Sequence, residues 1–174
     1  MPDAPGLELI RGEIERDRPG AVLATSFDRA QAALIADPAR ILDVLSWLRD
    51  EPGHRYDFLS SLHVADYLPA EPRFGVHYEL LNRDRVERIR VKAMLEDAPP
   101  AAGALPEIDS CVDLFPTADF QEREAFDFFG IVFRGHPDLT RILLPEDYVG
   151  WPQRRDFPIG GEPVTFTYNE RHYG

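Results

Sequence analysis

Closely spaced prolines rule out a long helix in the last forty residues of this chain. They stand at positions 137, 145, 152, 158 and 163. A proline inside a helix removes a backbone hydrogen bond and clashes with the preceding turn, so this stretch must be largely extended or turn-like. It is nevertheless too apolar and aromatic for a solvated linker. We therefore expect an extended arm over residues 135–174 that is ordered by burial, most naturally against a partner protein.

The apolar pattern before the arm predicts an α+β domain over residues 1–116. The predicted elements are, in chain order, a helix at 7–17, strands at 21–27 and 30–35, a helix at 38–50, strands at 56–67, 73–81 and 86–95, and a short helix at 106–114. Turn-like residues at 28–29 and 82–85 predict two hairpins. The expected sheet is mixed, largely antiparallel and packed by helices, and Cys111 is expected to be a small buried residue.

Residues 117–134 are predicted to hold a capped helix and a short strand. Thr117 or Asp119 can cap the first turn of a helix over residues 120–129, acidic residues suit its early turns, and Gly130 can end it. This segment lies between the predicted α+β domain and the arm.

Composition excludes several classes of function. With 19 Lys and Arg against 31 Asp and Glu, the formal net charge is −12, which disfavours a nucleic-acid partner. Cys111 is the single cysteine, so the chain by itself can close no disulfide and hold no ordinary iron–sulfur cluster. It has no phosphate-binding glycine motif. Without a signal peptide or an apolar window of about 18 residues, we expect a soluble, cytosolic chain.

Candidate catalytic and metal-ligating residues have simpler structural explanations. The five histidines are scattered, with no pair at the one-turn spacing of a zinc-binding helix. His136-Pro137-Asp138 is typical of a turn. Glu122, Glu124 and Asp127 are explained by helix-start electrostatics and by ion pairs to a partner or to the arm. These residues therefore predict a non-catalytic domain with a partner-binding arm. Its expected charged anchors are Arg141, Arg154, Arg155 and Asp156.

Two adjoining runs carry a family resemblance. The first is Glu122-Arg123-Glu124-x-Phe126-Asp127-x-x-Gly130-Ile131-x-Phe133-x-Gly135-His136-Pro137-Asp138-Leu139-x-Arg141-Ile142-Leu143. The second is Pro145-Glu146-Asp147-x-x-Gly150-x-Pro152-x-Arg154-Arg155-Asp156-Phe157-Pro158. Together they resemble the signature of the thirty-kilodalton subunit family of NADH:quinone oxidoreductase, respiratory complex I. The segment at residues 59–67 is similar to the corresponding strand of that family.

The resemblance implies a non-catalytic peripheral-arm subunit of a proton-translocating complex that passes electrons from NADH to quinone. It implies that this chain binds no cofactor, while other subunits hold FMN and iron–sulfur clusters. The expected partners are other peripheral-arm subunits, above all the one that forms the quinone site and a neighbouring one that bears an iron–sulfur cluster. The expected location is the cytoplasmic side of a bacterial cell membrane, where the chain is peripheral and attached through the complex.

Two alternatives remain open at this point. One is the equivalent subunit of a membrane-bound hydrogenase or ferredoxin-linked complex, and the other, a more distant one, is a free-standing metal hydrolase using His136 and Asp138. The residues that we expect at the partner interface are Glu122, Arg123, Glu124, Asp127, His136, Asp138, Arg141, Trp151, Arg154, Arg155 and Asp156.

Overall fold

A five-stranded sheet forms the centre of the fold in the computed structural model, which describes residues 1–97 and 104–158. The strands are β1 (Val22–Asp28), β2 (Gln31–Ala36), β3 (Phe58–Asp66), β4 (Phe74–Asn82) and β5 (Glu87–Leu95). Their order across the sheet is β1-β2-β5-β4-β3, so β1 and β3 are the edge strands. Only the β2–β5 pair is parallel within this sheet. The mixed, largely antiparallel sheet predicted from the sequence is confirmed.

Alternation along the central strands places their apolar side chains on one buried face. Val76, Tyr78 and Leu80 of β4 are fully buried, and so are Ile89 and Val91 of β5. Successive side chains of a strand point to opposite faces, so the residues between them reach the other face of the sheet. The hydrophobic core therefore lies on the side of the sheet where the helices pack.

Three α-helices in the described part of the chain complete this core. They are α1 (Ala4–Asp17), α2 (Ile41–Asp50), which follows a short 3-10 helix (Pro38–Arg40), and α3 (Ala118–Phe129). Helix α1 packs on β1 and β2, and α3 packs on β3. Asp3 caps α1 by accepting a hydrogen bond from the Gly6 N–H at 2.8 Å. None of these helices has the length and apolarity needed to cross a bilayer.

The ends of α3 follow the sequence prediction only in part. Gly130 ends the helix in the left-handed conformation with φ of 69°, as predicted. Thr117 precedes the helix but makes no side-chain cap. Its hydroxyl instead donates to the Leu59 carbonyl of β3 at 2.9 Å. The predicted cap is therefore wrong, because a tertiary acceptor on the sheet takes the hydroxyl.

The helix predicted over residues 106–114 is also wrong. Residues Glu107–Asp109 form β6, which pairs in parallel with β7 (Val132–Arg134). Ile108 and Cys111 are both buried. Their spacing is that of a helix, but the residues form a strand followed by a turn. The pairing strand is remote in sequence, so local periodicity carried no sign of it. The burial predicted for Cys111 is confirmed.

The arm contains no helix and no strand over residues 135–158, as its prolines predict. It does not extend away from the domain, because its side chains bond to α3 and to the ends of β4 and β5, and its Arg155 backbone N–H donates to Asp66 at the end of β3. The arm was expected to be ordered against a partner protein, but this part of it is ordered against the chain's own fold. Residues 159–174, including the predicted arm residues Phe166 and Tyr168, lie outside the described residues.

We predict that Cys111 is chemically inert in the folded chain. Burial raises the pKa of its thiol well above the ordinary value, and the neighbouring Glu122 carboxylate raises it further. A disulfide reagent at about pH 8 should modify less than about a tenth of the thiol in the time that it takes to modify the urea-unfolded chain completely. Rapid labelling of the native chain would show that the turn around Cys111 opens readily.

Candidate interface site

Glu122 lies inside the chain, although the sequence predicts it at a partner interface. Its side chain is fully buried and accepts hydrogen bonds from the Ser110 hydroxyl at 2.6 Å and the Cys111 N–H at 2.8 Å. Burial raises the pKa of the Glu122 carboxyl, and these two donors oppose that rise. Glu122 therefore bonds α3 to the turn after β6, a role that the sequence did not predict.

Asp127, on the same helix, is also buried and bonds to the arm. Its Oδ2 accepts the backbone N–H groups of Ile142 at 3.1 Å, Leu143 at 2.7 Å and Leu144 at 2.9 Å. Its Oδ1 accepts Nη1 of Arg141 at 2.7 Å. Burial pushes the pKa of Asp127 upward, but these donors outweigh burial and hold it below its usual value. The carboxylate thus fixes four consecutive residues of the arm.

Arg141 extends this contact toward the second half of the arm. Its Nη2 donates to the carbonyls of Tyr148 and Gly150, both at 3.1 Å. Its guanidinium lies 4.6 Å from the centre of the Trp151 ring, a cation–π distance. Trp151 in turn covers Gly130, where an added Cβ would stand 2.6 Å from the indole. We call Asp127, Arg141 and Trp151 the arm latch.

A second contact ties the end of the arm to the end of the sheet. Arg73, at the start of β4, is 4% exposed at its side chain and bonds three carboxylates. The distances are 2.8 Å to Asp66, 2.7 Å to Asp97 and 2.6 Å to Asp156 of the arm. Burial raises the pKa of Asp66, but bonds from Arg73 and from two backbone N–H groups lower it to about 2. We call these four residues the arginine cluster.

Arg154 reinforces the arginine cluster from the arm side. Its Nε donates to the Phe129 carbonyl at the end of α3 at 2.7 Å. Its guanidinium and that of Arg73 both lie over the Phe74 ring, at 4.8 Å and 4.7 Å from the ring centre. Burial lowers the pKa of Arg154. The predicted anchors Arg154 and Asp156 therefore bind this chain's own sheet.

The sequence pointed to no role for Arg73, Asp66 and Asp97. They come together because β3, β4 and β5 are neighbours whose ends meet at one edge of the sheet, with Asp66 paired to Phe74 and Phe74 to Leu95. The predicted 82–85 hairpin sets the β4–β5 register, so the proximity of residues 73 and 97 was accessible in principle. To predict that Asp66 also lies close to these residues, the β3–β4 pairing would have been needed as well.

Arg123 and His136 also bond within the chain. Arg123 donates to the carbonyls of Thr140 and Arg141, both at 3.2 Å. His136 places Nε2 3.2 Å from the Asp119 carbonyl, and its Nδ1 accepts the Asp138 N–H at 3.0 Å. Both ring nitrogens thus serve the turn that begins the arm. No three His, Cys, Asp or Glu residues in the described ranges are grouped as metal ligands.

The remaining predicted interface residues are exposed. Glu124 and Asp138 face solvent, and Arg155 is exposed while its Nη1 donates to the Leu68 carbonyl at 2.8 Å. Three large apolar side chains on α3 and the arm are exposed as well, namely Phe120, Leu143 and Val149. The surface over α3 and the arm therefore combines unburied apolar groups with charge. Partner contacts at these residues stay a prediction.

Comparison with known proteins identifies the family. Residues 34–163 match the family model described as the respiratory-chain NADH dehydrogenase, 30 Kd subunit. The chain belongs to this family. It is 46% identical over 161 residues to an NADH-quinone oxidoreductase subunit of Roseiflexus castenholzii, covering 92% of this chain and 89% of the relative. It is 48% identical over 124 residues to the corresponding protein of Herpetosiphon aurantiacus, covering 71% of this chain and 69% of the relative.

Two solved structures resemble the fold. The trypsin-resistant fragment of Nqo5 superposes with a TM-score of 0.53 at 26% identity, covering 76% of this chain and 98% of the fragment. A chain of an archaeal membrane-bound sulfane sulfur reductase superposes with a TM-score of 0.66 at 22% identity, covering 95% of this chain and 90% of that one. The second likeness concerns the fold alone. The family resemblance and the α+β fold class predicted from the sequence are both confirmed.

The latch predicts a large effect of Asp127→Asn on stability. The amide cannot accept from both Arg141 and the three arm N–H groups, and it leaves a buried guanidinium without its anion. We expect urea unfolding of the full chain to show a loss of about 2–4 kcal/mol. Asp138→Asn, which changes an exposed carboxylate on the same arm, should cost less than about 0.5 kcal/mol. Equal effects of the two substitutions would contradict the latch.

The arginine cluster predicts that acid releases the arm. Asp66 has a pKa of about 2 in the folded chain against an ordinary 3.8. A carboxyl whose pKa is lower in the folded chain stabilises the fold at pH values above its ordinary pKa. This stabilisation is lost as the pH falls through the pKa of the folded chain. In a Trp47→Phe background, Trp151 fluorescence should report release between about pH 4 and pH 2. A transition centred near about pH 6 would instead assign release to a histidine.

Proposed function

We propose that this chain is a non-catalytic peripheral-arm subunit of a proton-translocating NADH:quinone oxidoreductase, where it supports electron transfer from NADH to quinone. The observation that carries this proposal is the 46% identity to an NADH-quinone oxidoreductase subunit over 92% of the chain. The geometry supports it, because the signature residues fasten an arm whose outer surface stays available for partners.

The internal bonds of the signature residues support a non-catalytic role. Glu122 accepts two hydrogen bonds in the core, Asp127 accepts four, and His136 uses one ring nitrogen toward α3 and the other in its own turn. A general acid or base needs to reach a substrate proton, and these groups already face donors or acceptors of their own fold. We infer that the chain itself binds no cofactor, and that FMN and iron–sulfur clusters belong to other subunits.

The exposed surface over α3 and the arm is the proposed contact for the quinone-site and cluster-bearing subunits. Leu143 and Val149 lie on the fixed arm, and Phe120 lies at the start of α3. Exposed apolar side chains beside charged ones are typical of protein interfaces. Through such contacts the chain would associate peripherally with the cytoplasmic side of a bacterial membrane, attached through the complex.

A related complex is the second candidate. The archaeal sulfane sulfur reductase chain shares the fold, so the fold alone does not separate the NADH-linked complex from the equivalent subunit of a hydrogenase or ferredoxin-linked complex. Identities of 46% and 48% to NADH-quinone oxidoreductase subunits favour the NADH-linked complex. Metal analysis addresses the remaining alternative, a hydrolase using His136 and Asp138, since stoichiometric zinc or iron would favour it.

The assembly test uses Arg155→Glu in a tagged chain expressed with the other subunits. The substitution reverses an exposed charge whose side chain makes one hydrogen bond within the described residues, to the Leu68 carbonyl. We expect weaker co-purification with the quinone-site and cluster-bearing subunits, while the free energy of unfolding of the isolated chain changes by less than about 1 kcal/mol. Arg29→Glu, in the β1–β2 turn at the far edge of the sheet, should leave assembly unchanged.

Two outcomes would count against this assignment. A wild-type chain that co-purifies with neither of these partners would contradict the proposed function. A large loss of stability in the isolated Arg155→Glu chain would instead place Arg155 within the fold. Truncation at Gly135 is less informative, because it would also strip Arg141 and the arm N–H groups from buried Asp127.

A further inference from the structure

A groove of about 90 Å³ lies between the free edge of β3 and helix α3. His63 and Val64 line it on the strand side, and Glu124 and Phe128 line it on the helix side. Gln153 of the arm lines it as well, and its backbone N–H donates to the Phe128 carbonyl at 3.2 Å. The groove is therefore built by three separate parts of the chain.

The strand side of the groove offers backbone acceptors. The N–H of Leu62 donates to the side-chain oxygen of Gln121 on α3, so the backbone groups of Leu62 face away from β4. Val64 lies two residues further along, and the register with β4 is regular between them. Its backbone groups therefore face the same way. The carbonyl oxygens of Leu62 and Val64 consequently lie along the groove.

The helix side offers a carboxylate that has no cation in the described part of the chain. The residues one turn from Glu124 are Phe120, Gln121, Asp127 and Phe128, none of which is basic. The adjacent Arg123 donates to carbonyls of the arm instead. An acidic side chain at the mouth of a partly apolar groove favours a cationic ligand.

Two of the rings that line the groove, those of Phe128 and His63, suit a flat cation. Phe128 is a half-buried apolar ring on α3, and aromatic faces attract guanidinium groups. Burial is the main cause that lowers the pKa of His63 below its ordinary value. The His63 imidazole is therefore neutral near pH 7 and does not repel a positive charge.

We propose that this groove receives an arginine side chain from a neighbouring protein of the complex. The inference rests on the proposed function, because it requires a partner chain. A guanidinium has five N–H donors in one plane, which match the Glu124 carboxylate and the strand carbonyls, while its flat face lies on the Phe128 ring. A lysine ammonium would present a compact charge that leaves most of these acceptors unused.

The arm latch contributes to this groove as well. The Gln153 N–H bonds the Phe128 carbonyl, and the neighbours of Gln153 on either side, Trp151 of the latch and Arg154, contact the end of α3. The receptor for the arginine is thus complete only when the arm is docked. This couples the internal order of the chain to its contact with the partner.

The decisive experiment replaces Glu124 in the tagged chain within the whole complex. Glu124→Gln should release the chain from the complex at lower salt, with roughly tenfold weaker association, and Glu124→Arg should weaken it further. Glu96→Gln removes the same charge from an exposed residue just beyond β5 and should behave as wild type. All three isolated chains should keep the wild-type melting temperature, since Glu124 makes no ion pair in the described fold.

A second measurement tests the arginine itself on the isolated full chain. N-acetyl-arginine amide should shift the NMR signals of Glu124 and Phe128 in the wild type but not in Glu124→Gln, and the uncharged citrulline derivative should shift neither. An equal response to N-acetyl-lysine amide would overturn the choice of arginine. Wild-type salt resistance of the Glu124→Arg complex would overturn the groove as a docking site.

The two proposals fail in different ways. If the wild-type chain joins no complex, the proposed function fails, and the arginine titration still reports on the groove. If the wild-type chain assembles and Glu124→Arg assembles equally well, only the groove inference fails.

Discussion

The Asp127 carboxylate is the contact on which the course of the arm depends. A buried anion is costly unless donors surround it, and here the arm supplies a guanidinium and three backbone N–H groups. This requirement selects one path for residues 141–144, because only a turning chain can aim consecutive N–H groups at one oxygen. Arg141 is thereby fixed, and Trp151 follows because it stacks on that guanidinium.

The arm latch and the arginine cluster hold the arm at two places, and some side chains between these contacts stay exposed. The latch fixes residues 141–144, and the arginine cluster fixes Asp156. Between these contacts Val149 is 89% exposed, yet Tyr148 and Gly150 accept hydrogen bonds from Arg141. When a partner covers a side chain on a backbone that is already fixed, no further backbone entropy is lost. Pre-organisation of this kind suits a protein whose role is to bind others.

The sequence predicted the local structure well and the tertiary contacts poorly. Periodicity was enough for α1, α2, α3 and both hairpins, because these depend on neighbouring residues. Strand β6 was missed because its partner β7 is remote in sequence. Glu122 was placed at the surface because it is charged, yet it shares the buried stripe of α3 with Ala118, Ala125 and Phe129. Spacing on that helix was the signal for its burial, and charge obscured it.

The distribution of charge agrees with the cationic contact proposed for the groove. The formal net charge is −12, and several of the arginines are enclosed with their own anions, as Arg73, Arg141 and Arg154 are. A cation enclosed in this way contributes little to the field that an approaching protein meets. The exposed surface is therefore left with acidic groups such as Glu124, whose helical neighbours supply no counter-charge. Because the arginines that hold the arm are paired with anions of the chain itself, their charge is neutralised internally, and acidic groups remain exposed.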